Sequence, residues 1–198
     1  MASLHTEQLE YLLSHLAQVG RRTVSLGVFP ANCIPRIPYG NNDACFILNT
    51  DKHNEPGTHW LAFYYNRSRN QLYYFDSFGL PPAMYINVSD ALSSSQNLRN
   101  VSTIPANTVG MLQSLDSTAC GYYAILFLHL VSHTNSAASA MNKLHRLGRT
   151  PQIRDSAVVK VVHKLMHRHR CTNVPSEFTR SSQQCANYTY VACNFPKQ

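Results

Sequence analysis

His59, Asp76, Gln113 and Cys120 occur in an order, and among neighbours, that could support nucleophilic catalysis by a thiol. A cysteine attacks as its thiolate, so it needs a base to take its proton. The base needs an acceptor to orient it, and the oxygen that gains charge during acyl transfer needs hydrogen-bond donors. His59 can serve as base, Asp76 as orienter and Cys120 as nucleophile, with the Gln113 amide and the Cys120 backbone N–H as oxyanion donors. Each residue also has a plainer reading: a surface histidine near an acid, a solvated loop glutamine, a small buried thiol. Trp60 beside His59 could stack on a protonated imidazole or simply fill the core. Gly121, having no side chain, would leave room for substrate to approach the sulfur.

These residues work together only if local structure brings them together. Residues 60–65 and 71–75 read as two strands joined by a polar turn, which predicts a hairpin. If it turns about Arg67 and Ser68, opposed residues have numbers that sum to 135, and His59 lies across from Asp76. Opposed residues share a face with Cβ atoms about 4.5–5.5 Å apart, close enough for the carboxylate to accept the Nδ1 proton. Residues 122–131 are apolar all round, which predicts a buried central helix. Ser117 and Thr118 precede it as caps, placing Cys120 at the positive end of the helix dipole, where thiolate is favoured. An opening amphipathic helix carries Leu9, Leu12, Leu13, Leu16 and Val19, with Thr6 as cap and Gly20 as stop. Residues 45–49 read as a buried strand after a long loop at 30–42. Residues 81–110 form a surface excursion with a short helix and a strand near Val101. A last helix is expected from a cap at Asp155 through Val158, Val161, Val162 and Leu165.

The chain has 198 residues, 44% hydrophobic and 14% charged, which excludes a disordered protein and suits a single domain over 1–198. Nothing near the first residue reads as a secretory leader, and no apolar run reaches the roughly 18 residues of a membrane span. The expectation is therefore a soluble, intracellular protein without a membrane partner. The six cysteines are accordingly expected to be reduced. Seventeen basic against ten acidic residues give a formal charge of +7, which favours encounter with polyanions. Lys160, Lys164, Arg168 and Arg170 concentrate that charge on the last helix, as a DNA-binding face or a solvated one. His163, His167, His169 and Cys171 lack the paired Cys-x-x-Cys spacing of a structural zinc site, so no metal is expected.

The blocks around these residues, at 58–63, 74–79, 112–114 and 117–123, resemble those of the adenovirus maturation protease (adenain) family, with further similarity at 26–27 and 44–50. The resemblance implies an α+β fold in which a mixed central β-sheet packs against the buried helix that carries the nucleophile, as in the wider clan that includes the SUMO-specific proteases. It implies His59, Asp76 and Cys120 as the catalytic set, Gln113 as oxyanion donor, and cleavage after small residues, especially glycine. It further implies viral precursor proteins as substrates, DNA or a viral peptide as activator, and a location in the virion and host nucleus; a monomer is expected. Two departures stand out: Asp76 replaces the glutamate usual in the human adenovirus enzymes, and no cysteine lies between Asp76 and Cys120, where those enzymes tether their activating peptide. The chemistry needs no further cofactor. The leading expectation is a viral cysteine endopeptidase that acts on capsid or core precursors. The alternatives are a deconjugase for ubiquitin-like modifiers, an acetyltransferase, and a DNA-binding or scaffold protein without catalysis. Papain-like enzymes are excluded, because they place cysteine before histidine.

Overall fold

A computed structural model describes residues 3–16, 22–169 and 171 of the chain. Its centre is a five-stranded mixed sheet in the spatial order β1 (Thr23–Phe29), β2 (Asp43–Asn49), β3 (Trp60–Asn66), β4 (Gln71–Phe75) and β5 (Ser102–Pro105). β1 and β2 are parallel, β2, β3 and β4 are antiparallel, and β4 and β5 are parallel. The helices are α1 (Thr6–Leu16), α2 (Ile86–Ser94), α3 (Cys120–Thr134), α4 (Ala137–His145) and α5 (Pro151–Arg168).

Alternation along the strands divides the core. Cys45, Ile47, Ala62, Tyr64 and Phe75 face a cluster built with α1, α3, α4 and α5, while Phe46, Leu48, Leu61, Phe63 and Tyr74 face a second cluster closed by Val88 of α2 and by Leu98. α3 lies within the first cluster and is buried on nearly every side. The Phe127 ring stacks on Phe75 with centroids 4.5 Å apart. That explains its lack of a polar face: it is a helix with no solvent side to satisfy.

The hairpin forms, with a different turn. Arg67–Arg69 make a single 3-10 turn capped by the Asn66 side chain, and Asn70 takes a left-handed φ of 51°. The last pair is Asn66 opposite Gln71, so partner numbers sum to 137 rather than 135. Even-numbered lengthening of the turn slides the register without changing faces. The end helices also differ from expectation. Thr6 is the first residue of α1 rather than its cap, and Val19 and Gly20 lie outside the described residues. α5 starts at Pro151 with Thr150 as its cap, so Asp155 sits inside the helix. Cys33, expected to be reduced, is disulfide-bonded. No helix among the described residues is long and apolar enough to cross a membrane.

Candidate active site

His59 directly precedes β3 and Asp76 directly follows β4, at the open end of the hairpin. Extending the observed register sets His59 opposite Phe78, and the two rings stack at 4.8 Å. Asp76 is then the diagonal neighbour on the same face, within reach of a long side chain. His59 Nε2 donates to Asp76 Oδ1 at 2.7 Å. This corrects the expected use of Nδ1: with Nε2 committed to the carboxylate, Nδ1 is left for the thiol. The Asp76 carboxylate, 1% exposed, also accepts from the Phe78 and Leu80 backbone N–H groups and the Tyr85 hydroxyl. Burial first, then the charge of Asp76, pushes Tyr85 up, so its hydroxyl stays a neutral donor. Burial alone would lower the His59 pKa, but hydrogen bonds and charges from Asp76 and Cys120 outweigh it and raise the value to about 9. The imidazole is therefore held toward its protonated form beside the sulfur.

Cys120 is the first residue of α3, and the cap position is Ala119, which makes no side-chain capping bond. Ser117, expected as a cap, instead accepts from the Ala119 N–H, while its carbonyl accepts from Gln113. A helix start without a side-chain cap keeps its first N–H groups available to an anion. The Cys120 side chain is largely buried but lies within hydrogen-bonding reach of His59. By contrast Cys45, fully buried, has its thiol pushed up to about 12 by desolvation.

Gln113 is held at both ends of its amide. Oε1 accepts from the Ser77 hydroxyl at 2.8 Å, and Nε2 donates to the Ser117 carbonyl at 2.6 Å. A carbonyl only accepts, so this contact assigns the NH₂ end and leaves its second proton for another acceptor. The Ser77 carbonyl takes both the Leu112 and Gln113 backbone N–H groups. Ser77 thus fixes Gln113 by main chain and side chain together.

Of the two readings of Trp60 the core one holds, and the role read for Gly121 is not the one observed. Trp60 donates from Nε1 to the Leu4 carbonyl at 3.2 Å and packs in the α1–α3 cluster. The His59 ring meets Phe78 and Tyr85 instead. Strand alternation explains this, since adjacent residues point to opposite faces. Gly121 faces inward: a Cβ there would lie 3.1 Å from Leu4 Cβ and 3.3 Å from Leu9 Cδ2. Its missing side chain admits α1 against α3, rather than substrate to the sulfur. Tyr85 and Asn107, the latter with an amide that bridges the Asp76 and Gly110 carbonyls at 2.9 Å each, carried no sequence signal, and Ser77 lay within the 74–79 block without a role read for it. Lys160, Lys164 and Arg168 are exposed on α5, and Arg170 lies outside the described residues. The His163 ring meets Tyr122 edge-on at 5.8 Å.

A mixed sheet and a buried helix that converge on a thiol, an imidazole and a carboxylate, with an amide donor alongside, define the class of the cysteine peptidases. Comparison with known proteins gives the family: the adenovirus endoprotease family model matches residues 25–184, and the chain belongs to that family of viral cysteine proteases. The protease of human adenovirus D serotype 17 is 32% identical over 101 residues, which cover 48% of each chain. The chain thus spans about half the length of the curated relatives it matches. Among solved structures, the Chlamydia trachomatis effector Cdu1 bound to ubiquitin superposes with a TM-score of 0.58 at 12% identity, covering 85% of this chain and 94% of that one. The ASFV pS273R protease superposes with a TM-score of 0.52 at 15% identity, covering 79% of this chain and 67% of that one. At these identities the likeness is one of fold.

Proposed function

We propose that this chain is an endopeptidase that cleaves viral capsid or core precursor proteins after small, glycine-containing sequences during particle maturation. The observation that carries the reading is the His59–Asp76 pair beside Cys120, with the Gln113 amide locked in the donor orientation. In the proposed reaction the Cys120 thiolate attacks the scissile carbonyl beside imidazolium His59. The tetrahedral oxyanion is held by the free Gln113 N–H and the Cys120 backbone N–H. His59 protonates the departing amine, a thioester remains, and His59 then draws a proton from the water that hydrolyses it. Asp76 keeps the ring oriented throughout.

Replacement of Cys120 by alanine should abolish cleavage, and N-terminal mapping of products from candidate precursors should place glycine before the cut. Full cleavage by Cys120→Ala protein would refute the reading. Faster turnover of ubiquitin-aminomethylcoumarin than of viral precursors would move it to modifier deconjugation, a reading supported by the fold shared with ubiquitin-bound Cdu1. Activation by DNA is proposed to use the exposed cations of α5, and activation by a viral peptide to proceed without a covalent tether, since residues 77–119 contain no cysteine. The proposed setting is the virion and the host nucleus.

A further inference from the structure

We propose that Asp155, with Tyr123 and Arg154, positions the oxyanion donor, so that α5 presets the Gln113 amide before substrate arrives. The inference rests on the acyl-transfer reading above and adds to it Arg154 and Asp155, remote in sequence from every candidate catalytic group, and Tyr123, one helical turn beyond Cys120. Ser77 holds Gln113 by side chain and by main chain from the β4 side, and Ser117 holds the amide from the other end; the residues that flank Gln113 are held in addition from α3 and α5. Ser114 donates its backbone N–H to Asp155 Oδ2 at 3.2 Å and its hydroxyl to the same oxygen. The Leu112 carbonyl accepts from Arg154 Nη1 at 2.8 Å and from the Tyr123 hydroxyl at 3.1 Å. The same hydroxyl lies 2.9 Å from Asp155 Oδ1, and its one proton is shared between these two acceptors, which places it between the two halves.

The chemistry of these groups argues against a merely structural role. Asp155 and Arg154 are 3% and 6% exposed, and burying charge is costly unless hydrogen bonds compensate it. Adjacent residues of opposite charge could neutralise each other. Yet the ion pair found among the described residues is His59–Asp76, so Arg154 and Asp155 serve the 112–114 segment rather than one another. Arg154 Nη2 closes on the Gly148 carbonyl at 2.8 Å, anchoring the guanidinium to the turn before α5. Burial first, then the Asp155 carboxylate, pushes Tyr123 up, so its hydroxyl remains a donor. Apolar side chains could dock α5 on α3 as firmly. What they could not do is fix two specific backbone groups on either side of the donor.

The test compares wild type with Asp155→Ala and Asp155→Asn on a Gly-Gly-aminomethylcoumarin peptide. Two further measurements are affinity for a Gly-Gly peptide aldehyde, whose adduct places an oxyanion in the hole, and disulfide exchange at Cys120, which needs the thiolate but no hole. For Asp155→Ala we expect kcat to fall about 10- to 100-fold with KM within about twofold. Aldehyde affinity should fall in parallel and exchange at Cys120 should stay within about twofold. Asn keeps an acceptor for Ser114, so Asp155→Asn should recover about tenfold. Unchanged kcat in Asp155→Ala, or exchange that falls in step with kcat, would overturn the proposal. If Asp155→Ala does not fold, Ser114→Ala removes one arm of the network and is read by the same criteria. No cleavage by wild type would overturn the peptidase reading and this inference with it. Cleavage by wild type and Asp155→Ala alike would overturn this inference alone.

Discussion

His59 is where burial and hydrogen bonding oppose each other, and the outcome sets the pH behaviour of the site. Desolvation disfavours its cation, while Asp76 and Cys120 favour it more, leaving the pKa at about 9. The alkaline limb of kcat/KM should therefore fall near pH 9. Asp76→Asn should move it about 1–3 units lower, because an opposite charge at hydrogen-bonding distance shifts a titration by that much. A limb that stays in place would remove Asp76 from the role of orienter. Gln113→Ala should lower kcat about 10²–10³-fold with little change in KM, as loss of an oxyanion donor does elsewhere. Steady-state kinetics on a glycine-containing peptide checks both. The order and residue types of His59, Asp76, Gln113 and Cys120 were legible in the sequence because each supplies a distinct chemical capacity. Ser77 and Asp155 were not, because the hydrogen bonds that define them close across 36 and 41 residues. A lone serine or helical aspartate has no local pattern to announce such a bond.

The elements follow the same logic. β3, β4 and α3 were legible because aromatic and branched runs are long there and α3 is apolar on every side. β1 was not predicted, since Gly27 marks a register irregularity in the middle of a short strand. α4 buries only Ala137, Ala140, Met141 and Leu144, too small an apolar stripe to stand out. The turn after β4 is the element on which the site most depends. There Gly79 has φ +72°, and a Cβ would come within 2.7 Å of the Gly110 carbonyl oxygen. Gly79→Ala combines a left-handed backbone with a backbone clash, so we expect a loss of about 1–3 kcal/mol in urea unfolding. Activity should fall as well, because Phe78 and Leu80 donate to Asp76 from either side of this glycine. An unchanged unfolding midpoint would contradict the geometry.

For the molecule as a whole, pH stability is shaped by two histidines of opposite sign. The folded pKa of His59 is raised, so its contribution is complete below about 6.5 and lost as pH rises through about 9. His129, whose Nδ1 meets the Leu16 carbonyl, is lowered to about 4, chiefly by burial. Its contribution is complete above about 6.5 and lost as pH falls through about 4. Urea midpoints should thus peak near pH 6.5, and His129→Gln should flatten the acid side. The +7 charge bears on the proposed use of DNA: if the chain binds DNA through α5, converting Lys160, Lys164 and Arg168 to Gln should reduce the salt slope of that binding by up to about 0.9 for each phosphate no longer neutralised, and absence of binding by wild type would remove the proposal. An unchanged slope would assign the binding to another face. The two ends of the hairpin, finally, differ in their tolerance of insertion. At the tip, residues 67–70 turn the chain at the end remote from the thiol, and two residues added there should leave kcat within a few-fold. At the other end Asp76 and Ser77 are consecutive, one oriented toward the base and the other toward the oxyanion donor. A single glycine inserted between them would put acid–base chemistry and charge stabilisation out of phase, and should silence the protein while it still folds.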